Sequence, residues 1–294
     1  MCKMNIGEKI KDIRCAKMMT QQELAGEFIT RNMLSRIENG FALPSIPTLI
    51  YIAERLGVPA GYLLADESEE FHYRKKAGMP DIKSAYSAGD WEICRDLCDN
   101  LEGSDDEIKY VSALCLYNEA KDRFNAGELR VAAELFDSFK RESEEVIYPI
   151  ANLIGESDTY LLCIASISTS LVADIETSNA PSARSLSDAF CRYFLRLSDI
   201  NDGDSAPWDF VLSDDEDSAI YEDHLNAKIK MKLGRFSEAY HILKKLLSSD
   251  YNIPAPVLYF VFTDLEVCCR ELSDYRGAYE YSADRTGMFE KFLG

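Results

Sequence analysis

The sequence predicts an all-α chain with a small five-helix domain over residues 1–66, a connecting stretch over 67–78, and a stack of about six helix pairs over 79–294. Three observations carry this. In the first 65 residues, apolar side chains recur three and four apart, and the runs are separated by capping hydroxyls and stop glycines. Beyond residue 79 one turn pattern returns at four places. At 294 residues and 47% apolar content the chain can fill two ordinary cores, and it holds no run of about 18 apolar residues that would cross a membrane.

Ile6, Ile10 and Ile13 set a first helix from Asn5 to about Met18, with Lys9, Lys11 and Lys17 on its outer side. Thr20 and Thr30 each offer a hydroxyl to free backbone N–H groups, so each is an N-cap opening a helix of about two turns. Leu24, Ala25 and Phe28 share one face of the second helix, and Leu34 and Ile37 one face of the third. The link from Gly26 to Ile29 is tight, so the two helices pack at an angle, and Gly40 supplies a left-handed stop. Burial of Leu34 and Ile37 turns Arg31, Asn32, Ser35 and Arg36 outward on a helix short enough to lie in a DNA major groove. This is a helix-turn-helix pattern. Ser45 caps a fourth helix with the stripe Leu49, Ile50, Ile52, Ala53 and Leu56, which ends at Gly57, and Pro59 to Leu64 forms a fifth.

The segments TQQELA, TRNMLSRIENG and PSIPTLIYIAERLGVP resemble the five-helix domain of the Cro/C1 (XRE-type) repressors over residues 5 to 65. That family usually has a glycine in the turn between the two helices, and FITR lacks it here, as in the peptide-sensing Rgg/PlcR/PrgX-like branch. The resemblance implies that Arg31, Asn32 and Arg36 read bases, Arg suiting guanine O6/N7 and Asn suiting adenine N6/N7. It implies phosphate contacts from Gln21, Thr30, Ser35 and Asn39, and a pair between Arg14 and Glu38. It also implies a homodimer on a two-fold operator in double-stranded DNA, and a short signalling peptide as effector.

Residues Asp66 to Gly78 have no clear period and read as a linker or a linking helix. The repeat then starts. Gly89, Gly127, Gly234 and Ser273 are each followed two positions later by a large apolar residue and five later by a small one: Cys94, Ala132, Ala239 and Ala278. Nine positions on come Cys98, Phe136, Leu243 and Ser282. This resembles the tetratricopeptide repeat, whose small residue lets two antiparallel helices pack closely. The turns lie 38, 107 and 39 residues apart, so two degenerate repeats are expected between 140 and 215. Ser178 to Pro181 reads as a turn, and Asn201 to Asp217 as an acidic loop around Trp208. Extended peptides commonly lie on the concave face of such a stack, where Asn118, with Asn152 and Asn226 as looser candidates, is placed to hold a peptide backbone. Dimerisation is expected through the stack, near Tyr275 to Phe292.

Charge separates the two parts. Residues 1–66 carry eight Lys or Arg against seven Asp or Glu, whereas the rest carries 24 against 44, so DNA contact is expected in the N-terminal domain alone. The start of the chain has no apolar run behind its charges, and nine cysteines form an odd count; both point to a soluble cytoplasmic protein with free thiols. Cys94 and Cys98 fall on packing positions and are read as core rather than as half of a metal site. No phosphate loop, nucleophile elbow or zinc-protease motif is present, and no enzyme activity, metal or cofactor is expected. Three alternatives stay open: a protein partner instead of a peptide, a helix-turn-helix that is an interaction module only, or an unrecognised enzyme in residues 140–215.

Overall fold

The computed structural model describes residues 6–65, 67–168, 186–203 and 218–293. Among them the chain forms helices and no strand, arranged in two compact units, Met1–Ser104 and Asp105–Gly294. The first unit contains α1 (Ile6–Ala16), α2 (Gln21–Ala25), α3 (Arg31–Glu38), α4 (Ile46–Leu56), α5 (Ala60–Leu64), α6 (Glu67–Ala88) and α7 (Trp91–Asp99). The second contains α8 (Asp106–Ala126), α9 (Leu129–Ser143), α10 (Ala151–Ile167), α11 (Ala189–Asn201), α12 (Ser218–Lys232), α13 (Phe236–Leu247), α14 (Ala255–Glu271) and α15 (Tyr275–Leu293).

In the first unit Ile10, Leu24, Leu34, Ile37, Ile52 and Leu56 are completely buried in one cluster, each contributing about 1.5–3 kcal/mol by leaving water. The caps fall where the hydroxyls predict. Thr20 forms a full capping box with Glu23, and Thr30 and Ser45 accept from Met33 and Thr48 N–H. α1 and α3 touch at backbone distance: a Cβ on Gly7 would lie 2.1 Å from the Ile37 carbonyl oxygen.

Three expectations about side-chain placement are corrected. Lys9 is not on the outer side of α1. It lies on the Ile6–Ile10 face, buried, pairs with Glu70 at 2.7 Å and donates to the Ala65 carbonyl at the C-terminal end of α5. Helix-end carbonyls lack intrahelical partners, so an ammonium is a suitable cap there. Phe28 is outside α2, which stops at Ala25 because Gly26 turns the chain with φ +54°; its ring is 56% exposed and stacks on Tyr51 with centroids 4.6 Å apart. Ile50, one position from Leu49 and so about 100° around α4, is half-exposed while Leu49, Ile52, Ala53 and Leu56 are buried.

The repeat turns share one geometry. Gly89, Gly127, Gly234 and Ser273 have φ of +78°, +87°, +72° and +64°. In each, the N–H of the following residue bonds a carbonyl five positions back: Asp90 to Ala85, Glu128 to Arg123, Arg235 to Lys230 and Asp274 to Cys269. This is a Schellman stop, which a left-handed residue permits. α6 packs on α7, α8 on α9, α12 on α13 and α14 on α15. The small residues Cys94, Ala132, Ala239 and Ala278 are buried at these crossings, as are Cys98, Phe136 and Leu243, while Ser282 is half-buried. The first of these pairs belongs to the N-terminal unit.

Between α9 and α12 the described chain supplies α10 and α11, each packed on its sequence neighbours. The expected turn at Ser178 to Pro181 and the loop around Trp208 lie outside the described residues. α14 and α15 also return against α8 and α9, where Phe292 meets the Gly127 turn.

Candidate functional site

The outward surface of α3 is assembled from the N-cap inward. Leu34 and Ile37 anchor the helix on the core, and Arg31, Asn32, Arg36 and Asn39 are exposed, with Ser35 half-buried beside them. Thr30, exposed, accepts from Met33 N–H at 3.2 Å, so its hydroxyl oxygen holds the start of the helix. Asn39 donates to the Ser35 carbonyl at 2.7 Å and closes the last turn.

One carboxylate fixes the helix. Glu38, 3% exposed, accepts from Arg14 Nε at 2.7 Å and Nη2 at 3.0 Å, and from Gln21 Nε2 at 2.7 Å. Arg14 also donates to the Met19 carbonyl at 2.8 Å. The expected Arg14–Glu38 pair is therefore present, and it joins α1, α2 and α3 through one side chain. The hydrogen bond to Glu38 holds the Arg14 guanidinium above its ordinary value, against desolvation that lowers it. Arg55 donates to the Glu23 carbonyl at 2.6 Å and Tyr51 to the Ala25 carbonyl at 3.1 Å, so α4 secures the turn between α2 and α3.

The three asparagines of the expected peptide groove lie on α8, α10 and α12. Asn118 is half-buried, and Asn152 and Asn226 are exposed. Two cavities of the second unit, about 300 and 420 Å³, are bounded by other residues. The larger runs along Asp122, Asn125, Tyr221 and Asn252. The smaller has His224, Lys228 and Asp264 in its wall.

Buried polar chains link successive helices of the second unit. Glu156, 1% exposed, accepts from Tyr117 hydroxyl at 2.5 Å, from Ser187 N–H and hydroxyl, and from Asp188 N–H. Asp188 caps α11 and receives Lys121 at 2.6 Å and Tyr160 at 3.0 Å. Further along, Tyr193 hydroxyl meets His224 Nδ1 at 2.7 Å, His224 Nε2 meets Asp264 Oδ2 at 3.2 Å, and Lys228 donates to Asp264 Oδ1 at 2.6 Å.

No local motif marks these groups, because the chain's three histidines, His72, His224 and His241, are far apart in sequence. A usable signal was present. Tyr117 and Glu156, Tyr193 and His224, and His224 and Asp264 are 39, 31 and 40 residues apart, close to the repeat spacing that makes equivalent helices neighbours. Burial pushes the thiols of Cys98 and Cys268 up to about 12, consistent with their packing positions.

Residues 10–63 match the family model described as helix-turn-helix, which covers α2 and α3 and the residues expected to face DNA. This part of the chain is a helix-turn-helix domain of the XRE type. No curated protein matches the chain. Among solved structures, PlcR of Bacillus thuringiensis, in complex with the peptide PapR7 and DNA, is 14% identical, with 98% of this chain and 96% of that chain covered and a TM-score of 0.24. ComR from S. thermophilus, in complex with DNA and its signalling peptide ComS, is 14% identical over 97% and 99% with a TM-score of 0.23. A variant of PrgX is 10% identical over 99% and 100% with a TM-score of 0.24.

Proposed function

We propose that this chain is a sequence-specific DNA-binding transcriptional regulator, with residues 1–66 reading DNA and the repeats of 79–294 mediating dimerisation and binding a regulatory peptide. One observation carries the DNA reading: in a matched helix-turn-helix domain, α3 buries Leu34 and Ile37 and presents Arg31, Asn32 and Arg36 together on its exposed side. Arg31, Asn32 and Arg36 contact base edges, and Gln21, Thr30, Ser35 and Asn39 contact phosphates and set the register. A dimer of such domains engages a palindromic operator with half-sites about 34 Å apart, or a multiple of that.

Exposed Tyr275 and Tyr279 on α15 support a dimer contact there, whereas Phe292 packs within its own chain. Peptide binding rests on the family resemblance of the N-terminal segments and on the stacked repeats, with Asn118, Asn152 and Asn226 as backbone-holding candidates. No helix among the described residues is long and apolar enough to cross a membrane. A cytoplasmic location belongs to the same reading.

The test is selection of genomic fragments by the purified protein at stated salt, beside a variant with Arg31, Asn32 and Arg36 changed to Ala. The wild-type protein is expected to recover one palindromic site that the variant loses. Recovery of nothing, or of the same fragments by both proteins, refutes sequence-specific reading through α3.

A further inference from the structure

His224, Lys228 and Asp264 share the wall of the 300 Å³ cavity with Phe194, Leu197 and Phe260, where α11, α12 and α14 meet. The volume is at the lower end for a ligand pocket and suits one side chain or one chain terminus. Burial alone would raise the Asp264 carboxyl, but the hydrogen bond and charge of His224, together with Lys228, hold it below the ordinary aspartate value. An ionised Asp264 only accepts, so His224 donates to it from Nε2, while the Tyr193 hydroxyl lies 2.7 Å from Nδ1 on the other side of the ring.

Of the ion pair, the Asp264 side chain is 3% exposed and that of Lys228 18%. The charge that an entering group meets is therefore the ammonium, and Asp264 takes one of its three N–H donors. The hydroxyls of Ser166 and Thr263, also at the cavity, donate to carbonyls of their own helices, Cys163 at 2.7 Å and Tyr259 at 2.8 Å. Half-buried Phe194 and Phe260, with ring centroids 6.3 Å apart, give the same cavity an apolar side.

We propose that this cavity is a socket for a carboxylate carried on an apolar body, with Lys228 pairing with the carboxylate and Phe194 and Phe260 covering the body. The assignment rests on the reading that the repeats bind a peptide, and it specifies what part of the peptide enters: its C-terminal carboxylate or an acidic side chain. His224 and Asp264 are positioning residues that hold the ammonium at the cavity wall. A cationic group is excluded by Lys228, and a neutral amide forfeits the charge-assisted bond.

Binding of three probes to the full-length protein without DNA tests this: N-acetyl-phenylalanine, its primary amide, and the α-amide of N-acetyl-glutamic acid, followed by ligand-observed NMR. At least one acid is expected to bind with a Kd of about 1–10 mM, as befits a fragment. The neutral amide is expected to bind about tenfold more weakly. The tighter acid identifies the source, a terminal carboxylate for the first and an acidic side chain for the third.

Lys228→Met is expected to weaken the acid about tenfold. Ser198→Trp, at an exposed position on the rim, is expected to block entry without touching the buried chain, and it decides the matter if Lys228→Met melts early. Equal binding of the neutral amide, no binding of either acid at about 10 mM, or binding that survives Ser198→Trp overturns the socket. Because no arm involves DNA, a socket failure with intact operator selection is separable from failure of the regulatory reading.

Discussion

Removing either partner of the Arg14–Glu38 pair is expected to destabilise the N-terminal unit far more than a surface ion pair would. The side chains are 11% and 1% exposed, and the guanidinium engages both carboxylate oxygens at 2.7 and 3.0 Å. Two unit charges about 4 Å apart attract by about 4 kcal/mol at an effective dielectric constant of about 20. Desolvation offsets part of this, which leaves a coupling of about 2–3 kcal/mol. An exposed pair gives about 0.2–1 kcal/mol. Arg14→Ala should cost somewhat less than Glu38→Ala, because Glu38 keeps Gln21 while Glu38→Ala strands both Arg14 and Gln21. The measurement is a double-mutant cycle by urea unfolding in a Trp208→Phe background, where Trp91, within the N-terminal unit, is the remaining one of two tryptophans. A coupling below about 0.5 kcal/mol would refute the argument that burial makes this pair a tie between α1 and α3.

Ser273 holds a left-handed turn where three equivalent positions are glycine, so Ser273→Gly is expected to stabilise the helical unit by about 1 kcal/mol. Gly234→Ala, with open space around the added Cβ, should lose about the same, and equal melting temperatures for both variants and the wild type would contradict this. Asp188 and Asp264 are both held below the ordinary aspartate value of 3.8, against burial, by Lys121 in the first case and by His224 and Lys228 in the second. A lowered folded value means that their stabilisation is complete above the unfolded value and is lost as pH falls through the folded one. The urea midpoint of the helical unit should drop below about pH 4, less steeply in an Asp188→Asn, Asp264→Asn double variant; identical pH profiles would remove these carboxylates from the account.

Much of the N-terminal domain was legible because its information is local. Thr20, Thr30 and Ser45 cap helices by bonding N–H groups three positions away, and Leu24, Leu34, Ile37 and Leu56 occupy their faces through a period of 3.6. The misplaced residues are those whose environment comes from elsewhere. Lys9 is buried because Glu70, 61 residues on, and the end of α5 meet it. Phe28 is exposed because Gly26 ends α2 before its face reaches that far. Arg31, Asn32 and Arg36 do share the exposed side of α3, since that side follows from which residues α3 buries, whereas Gln21 lies on α2 and turns to Glu38. The asparagines chosen for the groove are less constrained by sequence, because a position counted from one turn fixes a side of one helix and says nothing of what faces it.

The sequence by itself determined the helical class, the capped helix-turn-helix and the places of the repeat turns at Gly89, Gly127, Gly234 and Ser273. Each of these is decided within a few residues by hydrogen-bond geometry and side-chain period. Only the tertiary structure decided that α14 and α15 return against α8 and α9, and that Tyr193, His224, Lys228 and Asp264 form one buried chain beside a cavity. Those arrangements depend on how far each helix pair rotates against the next, and that rotation is set by side chains interlocking between repeats.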